Sequence, residues 1–496
     1  MKKIIYSIIT LTLAVVLVTG CSKLKDFGNA NTNTQATVNP ITSALLTNVL
    51  SGMGGWSNMV TPCQYAQYIS QTQYPDISVY FPNLVSPEAN YSGALYDLQN
   101  IINYNTDPAT APTAALNGAN ANQIAIARIL KAYIFWNMTD RWGDIPYAGA
   151  LTGDPNVPYD TQQNIYRGII NEMTQAVAQF TTGAPIKGDV IYGGNTAQWQ
   201  KFANSCRMLM ALRLSKVYPN TADSAAIYFR AALADAAGSI STNADNFVVN
   251  YPGGNYPNPW WGVYNGRHDY GESDKMTALM TALSNDARQS VFGATITGAP
   301  TTKGVPYGRT RSQEGAWQGI DAWCSANADY AYVLNPNFRT QTSPAYVMTA
   351  AYVLLARAEA ADRGWTSETA NTTTLYQSGI TASFTQWGLA APLAAYFSSA
   401  NVALPSPAGT GANLQQIATQ QYVAFYPDGW QAWSNWRRTN WPALSPAFDA
   451  VNVPAVIPRR YLYGTQDYAL SLAGVTAAAA RLTGGDAMNS RIWWDK

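Results

Sequence analysis

The sequence predicts a mainly helical protein with few and short strands. Long segments carry apolar residues at helical spacing, and they fall in two blocks at about 120–240 and 344–430. The regions between these blocks are dense in Gly, Pro, Asn and aromatic residues, which is typical of loops. Helices that follow one another in pairs suggest helix-hairpin repeats of the tetratricopeptide kind, although no clean repeat period is visible.

The chain begins with a segment typical of a bacterial lipoprotein signal peptide. Lys2 and Lys3 precede an apolar run, residues 4–18, and small residues then lead to Cys21. The run has 15 residues, which is shorter than the about 20 that a membrane-spanning helix needs. We therefore expect cleavage before Cys21 and lipidation of the Cys21 thiol.

The remaining chain divides by composition. Residues 21–40 are rich in Asn, Thr and Gly and lack an apolar repeat, so we expect a lipidated flexible tether after the signal peptide of residues 1–20. Residues 41–496 form one large domain. We expect its helical scaffold in 120–240 and 344–430, and a loop-rich ligand lobe in 56–95 and 240–340, because loops of this length in a compact domain are usually functional.

Seven helices are predicted from the spacing of apolar residues. They cover residues 122–139, 162–180, 198–217, 222–237, 344–363, 371–386 and 414–427. Asp160 is the expected N-cap of the second helix. Gly364 is placed to end the fifth helix, and Cys206 lies on the apolar stripe of the third, where we expect an inert buried thiol.

Composition restricts the classes of partner. Loss of Lys2 and Lys3 on cleavage reduces Lys and Arg from 30 to 28, against 29 Asp and Glu. A chain this close to neutral has no electrostatic reason to bind nucleic acid or an anionic membrane surface. Charged residues make up 12% of the chain and aromatic residues another 12%. Neutral polar groups and aromatic faces together suit an uncharged polar ligand such as a sugar.

Cysteine and histidine are too sparse for most metal or redox sites. Cys63, Cys206 and Cys324 remain after Cys21, and none belongs to a Cys-x-x-Cys pair, so neither a zinc site nor a disulfide framework is predicted. His268 is the one histidine in the sequence. We expect no metal and no cofactor.

Several short strings, in a fixed order, resemble the SusD/RagB family of nutrient-binding outer-membrane lipoproteins of Bacteroidota. The first reads Asp-Arg-Trp-Gly-Asp-Ile-Pro-Tyr, at the end of a predicted helix. The strings lie at residues 140–147, 158–166, 188–205, 286–288, 358–361, 429–439 and 491–495. Together they cover essentially the whole chain after the signal peptide.

The resemblance implies an all-α fold, in which a tetratricopeptide-like helix-pair scaffold carries a packed irregular, loop-rich lobe. It also implies a function. Members of the family sit as a lid on a SusC-type TonB-dependent transporter, capture an oligosaccharide or in some branches a peptide, and deliver it for import. By this resemblance the protein is lipid-anchored in the outer membrane and faces the exterior.

The most family-like residues are interpreted as structural. Trp142, Gly143 and Asp144 are of types that buried turns favour. We expect Arg438, like its neighbour at 437, to pair with acids or carbonyl groups at helix ends. Glu359 has Arg363 four residues on, which is the spacing of a helical ion pair.

The ligand-binding residues are expected in the loops, where aromatic faces for stacking on a sugar stand beside hydrogen-bonding side chains. The richest loop is 251–270, followed by 307–332 and 74–83. The predicted ligand-binding residues are Tyr256, Asn258, Trp260, Trp261, Tyr264, Arg267, Asp269, Trp317, Trp323 and Tyr80. We expect Trp260→Ala with Trp261→Ala to weaken binding without unfolding the protein.

An enzyme is the main alternative, but the sequence contains few candidate catalytic residues. A glycosidase needs two carboxylates across the scissile bond, for which Asp269 with Glu272, or Asp140 with Asp144, are the options considered. A serine hydrolase would have to use His268 as its base. No Gly-x-Ser-x-Gly, His-Glu-x-x-His or P-loop pattern is present. We therefore predict a binding protein without catalytic residues, and a purely structural surface protein is the third class considered.

Overall fold

The computed structural model describes residues 41–57, 59–154, 157–310, 329–368 and 371–496. About 50% of the protein is helical, and the strands are short and close no sheet. Within the described residues, no helix is both long enough and apolar enough to cross a membrane. The expectations for Cys21, Trp317, Trp323 and Cys324 lie outside this part of the chain.

The larger helices run from one end of the described chain to the other. Those of six residues or more are α1 (Thr42–Ser57), α2 (Val60–Tyr65), α3 (Tyr96–Thr106), α4 (Asn120–Trp142), α5 (Gln162–Gln179), α6 (Thr196–Arg213), α7 (Ser224–Leu233), α8 (Pro259–Tyr264), α9 (Asp274–Ala282), α10 (Ala350–Asp362), α11 (Thr372–Gln386), α12 (Leu414–Phe425), α13 (Gly429–Thr439), α14 (Thr465–Leu470) and α15 (Leu472–Ala480).

Short strands tie the loops together in antiparallel pairs. The strands are β1 (Ile69–Gln71), β2 (Ile145–Pro146), β3 (Tyr159–Asp160), β4 (Phe247–Val249), β5 (Tyr270–Glu272), β6 (Gly293–Ala294), β7 (Tyr332–Val333) and β8 (Ala345–Met348). In the described residues β1 pairs with β5, β2 with β3, β4 with β8 and β6 with β7. Three of these four pairs join segments far apart in sequence.

Consecutive helices pack against each other as pairs, which is the tetratricopeptide-like arrangement that the sequence predicts. The pairs are α4 with α5, α6 with α7, α10 with α11, and α12 with α13. Neighbouring pairs also contact each other, since α5 packs on α6 and α10 on α12. The helical fold class is therefore confirmed.

Two local predictions are wrong. The segment predicted as one helix over 344–363 begins as strand β8, because its first residues pair with β4, and its helix starts after the Thr349 cap. The N-cap of α5 is Thr161, whose side chain accepts a hydrogen bond from the Asn164 backbone N–H. Asp160 instead accepts hydrogen bonds from two backbone N–H groups across the β2–β3 turn.

The family-like string at 140–147 closes one helix and starts the next, as its structural interpretation predicts. Trp142 is fully buried and donates its indole N–H to the carbonyl of Leu462 at 3.0 Å. Gly143 has a φ of +87°, which favours glycine. Asp144 accepts a 2.7 Å hydrogen bond from the Gln162 backbone N–H at the start of α5. This turn therefore positions α5 against α4.

The last described residues complete the core beside α4. Trp494 is fully buried, and its indole N–H donates a 2.8 Å hydrogen bond to Asp140. Asp495 is buried too and forms an ion pair with Lys216 at 2.8 Å. The first contact joins residues 354 apart in sequence, and the second joins residues 279 apart.

One buried cluster of the scaffold pairs a glutamate with two arginines. Arg438 donates two hydrogen bonds to the carboxylate of Glu359, one of them at 2.7 Å, and Arg363 lies 2.8 Å from the same group. Burial alone would raise the pKa of Glu359, but the two guanidinium groups lower it to about 2. Arg437 donates to the carbonyl of Arg459 at 2.8 Å. The predicted structural roles of these residues are confirmed.

Candidate functional site

Three of the predicted ligand-binding residues lie in the interior. Tyr80 is fully buried, and its hydroxyl accepts a 3.0 Å hydrogen bond from the Ala447 backbone N–H. Asn258 caps α8 by accepting from the Trp260 N–H at 2.8 Å, and it donates to the carbonyl of Ser343 at 2.9 Å. Trp260 is 1% exposed and packs in the core. These side chains hold the loops in place and present no face to solvent.

Two further residues are half-buried. Trp261 lies on α8 with part of its ring accessible. The hydroxyl of Tyr264 donates to the carbonyl of Tyr270 at 2.7 Å and accepts from the Val333 N–H at 2.9 Å. The guanidinium of Arg339 stands 3.9 Å from the centre of the Tyr264 ring. Tyr264 therefore joins β5 to β7 and supports the surface above them.

A surface patch formed by two of the predicted loops is the strongest candidate site. We call it the edge cluster, and it consists of Tyr74, Arg267, His268 and Asp269. The pairing of β1 with β5 brings the loops together. Thr72 continues this strand pairing. Its backbone N–H donates to the carbonyl of Asp269 and its hydroxyl to the carbonyl of His268, both at 2.7 Å.

The edge cluster combines an exposed aromatic ring with a neutralised ion pair. Tyr74 is 56% exposed, and the Arg267 guanidinium lies 5.7 Å from its ring centre. Arg267 also donates to Asp269 at 2.6 Å, so the two charges offset each other at the surface. Burial, followed by the positive charge of Arg339, lowers the pKa of His268 below its ordinary value. His268 is therefore neutral at pH 7 and above.

Described residues at either end of the 307–332 loop lie beside β5. Glu272 in β5 donates its backbone N–H to the carbonyl of Ala331 at 2.9 Å, and its own carbonyl accepts from the Val305 N–H at 2.8 Å. Segments on both sides of the 307–332 loop thus flank the strand that carries the edge cluster. Trp317 and Trp323 themselves lie outside the described residues.

Neither carboxylate pair considered for catalysis is open to a substrate. Glu272 is fully buried below the edge cluster, and its carboxyl accepts a 2.6 Å hydrogen bond from Gln289. Burial raises the pKa of Glu272 to about 8. Asp140 is fully buried, and Asp144 is engaged at the start of α5. In the described part of the chain, no three Asp, Glu, His or Cys side chains come close enough to hold a metal ion.

Tyr256 lies on a different surface from the edge cluster. It is 68% exposed at the rim of a cavity of about 880 Å³ between α1 and the segment 249–259. Sequence reasoning missed α1, because its Gly-rich stretch 52–55 is unfavourable for a helix. The residues that α1 contributes to this cavity, Asn48 among them, were therefore not predicted.

Comparison with solved structures supports the fold. A chitin-binding SusD homolog from Flavobacterium johnsoniae is 24% identical over 91% of this chain and 98% of its own, with a TM-score of 0.76. A SusD homolog from Bacteroides vulgatus is 20% identical over 92% of this chain and 97% of its own, with a TM-score of 0.75. A SusD homolog from Bacteroides uniformis is 22% identical over 92% and 99%, with a TM-score of 0.73.

The sequence itself identifies the family. No curated protein matches this chain. The SusD-like family model, described as "Starch-binding associating with outer membrane", matches residues 31–464. Because this match spans most of the sequence, the chain belongs to the SusD-like family, as the order of its motifs predicts.

Proposed function

We propose that the protein is an outer-membrane lipoprotein that captures a neutral oligosaccharide at the edge cluster and delivers it to a SusC-type TonB-dependent transporter. One observation carries this proposal. Pairing of β1 with β5 places the exposed ring of Tyr74 beside the Arg267–Asp269 pair, at the point where the predicted ligand loops approach one another.

The chemistry of the edge cluster suits a sugar. The apolar C–H face of a pyranose stacks on an exposed aromatic ring, as Tyr74 provides, and hydroxyl groups pair with the donors of Arg267 and the acceptors of Asp269. These two charges form an ion pair with each other, which suits a ligand that carries no net charge. The family description names starch, and one solved homolog binds chitin. Both are neutral polysaccharides, which supports a ligand of this class.

The proposed mechanism is capture without chemical change. Stacking and neutral hydrogen bonds give modest affinity, and a lipid anchor at Cys21 would keep the protein beside its transporter and raise the effective concentration of ligand there. The family is associated with the outer membrane, which agrees with this anchor. In this proposal the loop-rich lobe, 56–95 and 240–340, binds the ligand, and the helix pairs support it.

The test is a calorimetric binding screen of the chain from Ser22 onward, which keeps every described residue. Maltohexaose, chitohexaose and a peptide digest serve as probes, and each sample is checked for new products. We expect a hexasaccharide to bind without product formation. We also expect Tyr74→Ala to weaken binding about 10-fold, because loss of one stacked ring costs about 1–1.5 kcal/mol.

Tyr96→Ala is the matched control, because Tyr96 is 54% exposed on α3 and lies outside the edge cluster. Equal affinity of the Tyr74→Ala and wild-type proteins would remove the edge cluster from the site. Binding of peptides alone would make the protein a peptide-capturing member of the family. New product would contradict capture without chemistry.

A further inference from the structure

The groove between α1 and the segment 249–259 has the features of an independent ligand site. Its volume, about 880 Å³, lies in the range of sites that bind small molecules. We propose that this groove is a second binding site for a segment of neutral glycan, separate from the edge cluster. The ligand class rests on the proposed function, whereas the existence of the site rests on the groove itself.

The wall formed by α1 contains glycines that packing does not explain. A Cβ atom on Gly54 would stand 2.0 Å from the hydroxyl of Tyr251, so this glycine is required by its neighbour. A Cβ atom on Gly52 or Gly55 would meet nothing within 4 Å. Both residues line the groove. Glycine destabilises a helix relative to alanine. At Gly52 and Gly55 the missing side chains leave open space in the groove.

The opposite wall carries groups that a sugar would use. Tyr256 presents its ring to solvent at the rim, as a stacking platform. The side chains of Asn250 and Asn255 are exposed and form no hydrogen bond with the described residues, so their amides are free to donate and accept. Pro252 and Pro257 restrict the backbone between them, which lowers the entropy lost on binding.

The charge of the lining selects the ligand. None of the described residues that line the groove is charged. Asn48 and Ser51 add hydrogen-bonding groups from α1, and the Asn48 amide nitrogen already donates to Asp97 at 2.7 Å. A charged ligand would lose its hydration without gaining an ionic partner. A neutral polyhydroxylated chain would find both acceptors and donors, together with an aromatic face.

The groove and the edge cluster lie at opposite ends of α8. Pro259, the first residue of α8, lines the groove. Tyr264, the last, stands 6.2 Å from the His268 ring of the edge cluster. A helix of 6 residues is about 9 Å long, and its buried Trp260 fills the space beneath it. The two surfaces are therefore close but separate, and each can be changed alone.

The experiment counts glycan equivalents on the chain from Ser22 onward, by calorimetry with maltohexaose and chitohexaose. We expect two equivalents for the wild-type protein with one of these probes. Gly52→Leu fills the groove and should weaken one site at least 10-fold, while the melting temperature stays equal or rises because leucine favours the helix. Tyr256→Ala should weaken the same site without altering α1. Ala231→Leu, at an exposed position of α7, is the control.

The outcomes separate this inference from the proposed function. If one equivalent binds and is lost in the Tyr74→Ala, Arg267→Ala double variant but not in Gly52→Leu or Tyr256→Ala, the groove is not a site and the edge cluster stands. If the groove variants alone lose binding, the edge cluster assignment fails and the groove stands. If neither hexasaccharide binds to the wild-type protein, both proposals are overturned.

Discussion

Two fully buried glutamates, one in the scaffold and one in the loop-rich lobe, have opposite protonation states. In the scaffold, Glu359 is surrounded by the guanidinium groups of Arg438 and Arg363, and its pKa is about 2. In the lobe, Glu272 accepts a hydrogen bond from Gln289 and has no ion pair among the described residues, and burial raises its pKa to about 8. At pH 7 the first is charged and the second is protonated.

The difference shows two ways in which a buried carboxyl group avoids an unpaired negative charge. In the scaffold, Glu359 keeps its charge and is neutralised by its arginine partners, which ties α10 to α13. In the lobe, Glu272 avoids an unpaired negative charge by retaining its proton.

The largest expected effect comes from breaking the scaffold pair. Arg438→Met removes the main partner of Glu359 and leaves a buried carboxylate, so we expect the free energy of unfolding to fall by about 3–5 kcal/mol at pH 7. Denaturant titration measures it. Arg363→Met is the control, because that side chain is 18% exposed and should contribute about 1 kcal/mol or less. Equal losses in the two variants would contradict the assignment of Arg438 as the main partner.

A similar loss is expected from the core of the lobe. Trp260→Ala removes a ring that is 1% exposed, and we expect it to lower the free energy of unfolding by about 3–5 kcal/mol. This replaces the expectation from sequence that changes at Trp260 and Trp261 would spare the fold. Trp261→Ala, at a half-buried position, should lower the free energy of unfolding clearly less. Denaturant titration of both variants provides the measurement. A stable Trp260→Ala variant that loses glycan binding would restore the interpretation made from sequence.

A gain in stability is expected at Glu272. The folded protein keeps a proton that the unfolded chain releases above the ordinary pKa of 4.5, so this group costs more stability as pH rises from 4.5 toward 8. Glu272→Gln removes that cost, and we expect a gain of about 3 kcal/mol at pH 7, because each of the roughly 2.5 pH units above 4.5 costs about 1.4 kcal/mol. The gain should vanish near pH 4.

Melting temperatures of the Glu272→Gln variant across this pH range provide the measurement. For Glu359 we expect the opposite dependence of stability on pH. Its lowered pKa stabilises the fold above pH 4.5, and that contribution is lost as pH falls toward 2. Glu88→Gln, at a half-buried site at the start of a short helix, is the control. A Glu272→Gln variant that is less stable at pH 7 would show that the lobe needs a charged carboxylate.

Much of the helical scaffold is predictable from sequence, because its signals are local. The apolar spacing of 162–180 identifies α5 within one residue at its C-terminal end. Gly364, with a φ of +68°, follows the end of α10 as expected. The prediction fails where a distant segment decides the structure. Residues 345–348 form a strand because β4 lies beside them, and nothing in the local pattern shows this.

The sequence indicated which loops form the candidate site, but not which residues in those loops are exposed. Aromatic content pointed to segments that the structure brings together at β5, yet it did not distinguish Tyr74, which is exposed, from Tyr80 and Trp260, which are buried. Burial in a loop depends on which strands pair, and that information is spread over the whole chain. Three glycines in one turn of α1 were the available signal for the groove, but without the structure they argue against a helix.

Trp494, which lies near the end of the described chain, completes the core beside α4. Asp140 accepts one of its hydrogen bonds from a donor that follows it by 354 residues, so the core beside α4 is finished only when the last described residues are in place. A variant that ends before Trp493 would keep Tyr166 and Arg213 beside Asp140 but would lose the indole of Trp494, which leaves an unfilled cavity beside α4. We therefore expect such a variant to be cleaved by proteases faster than the full chain.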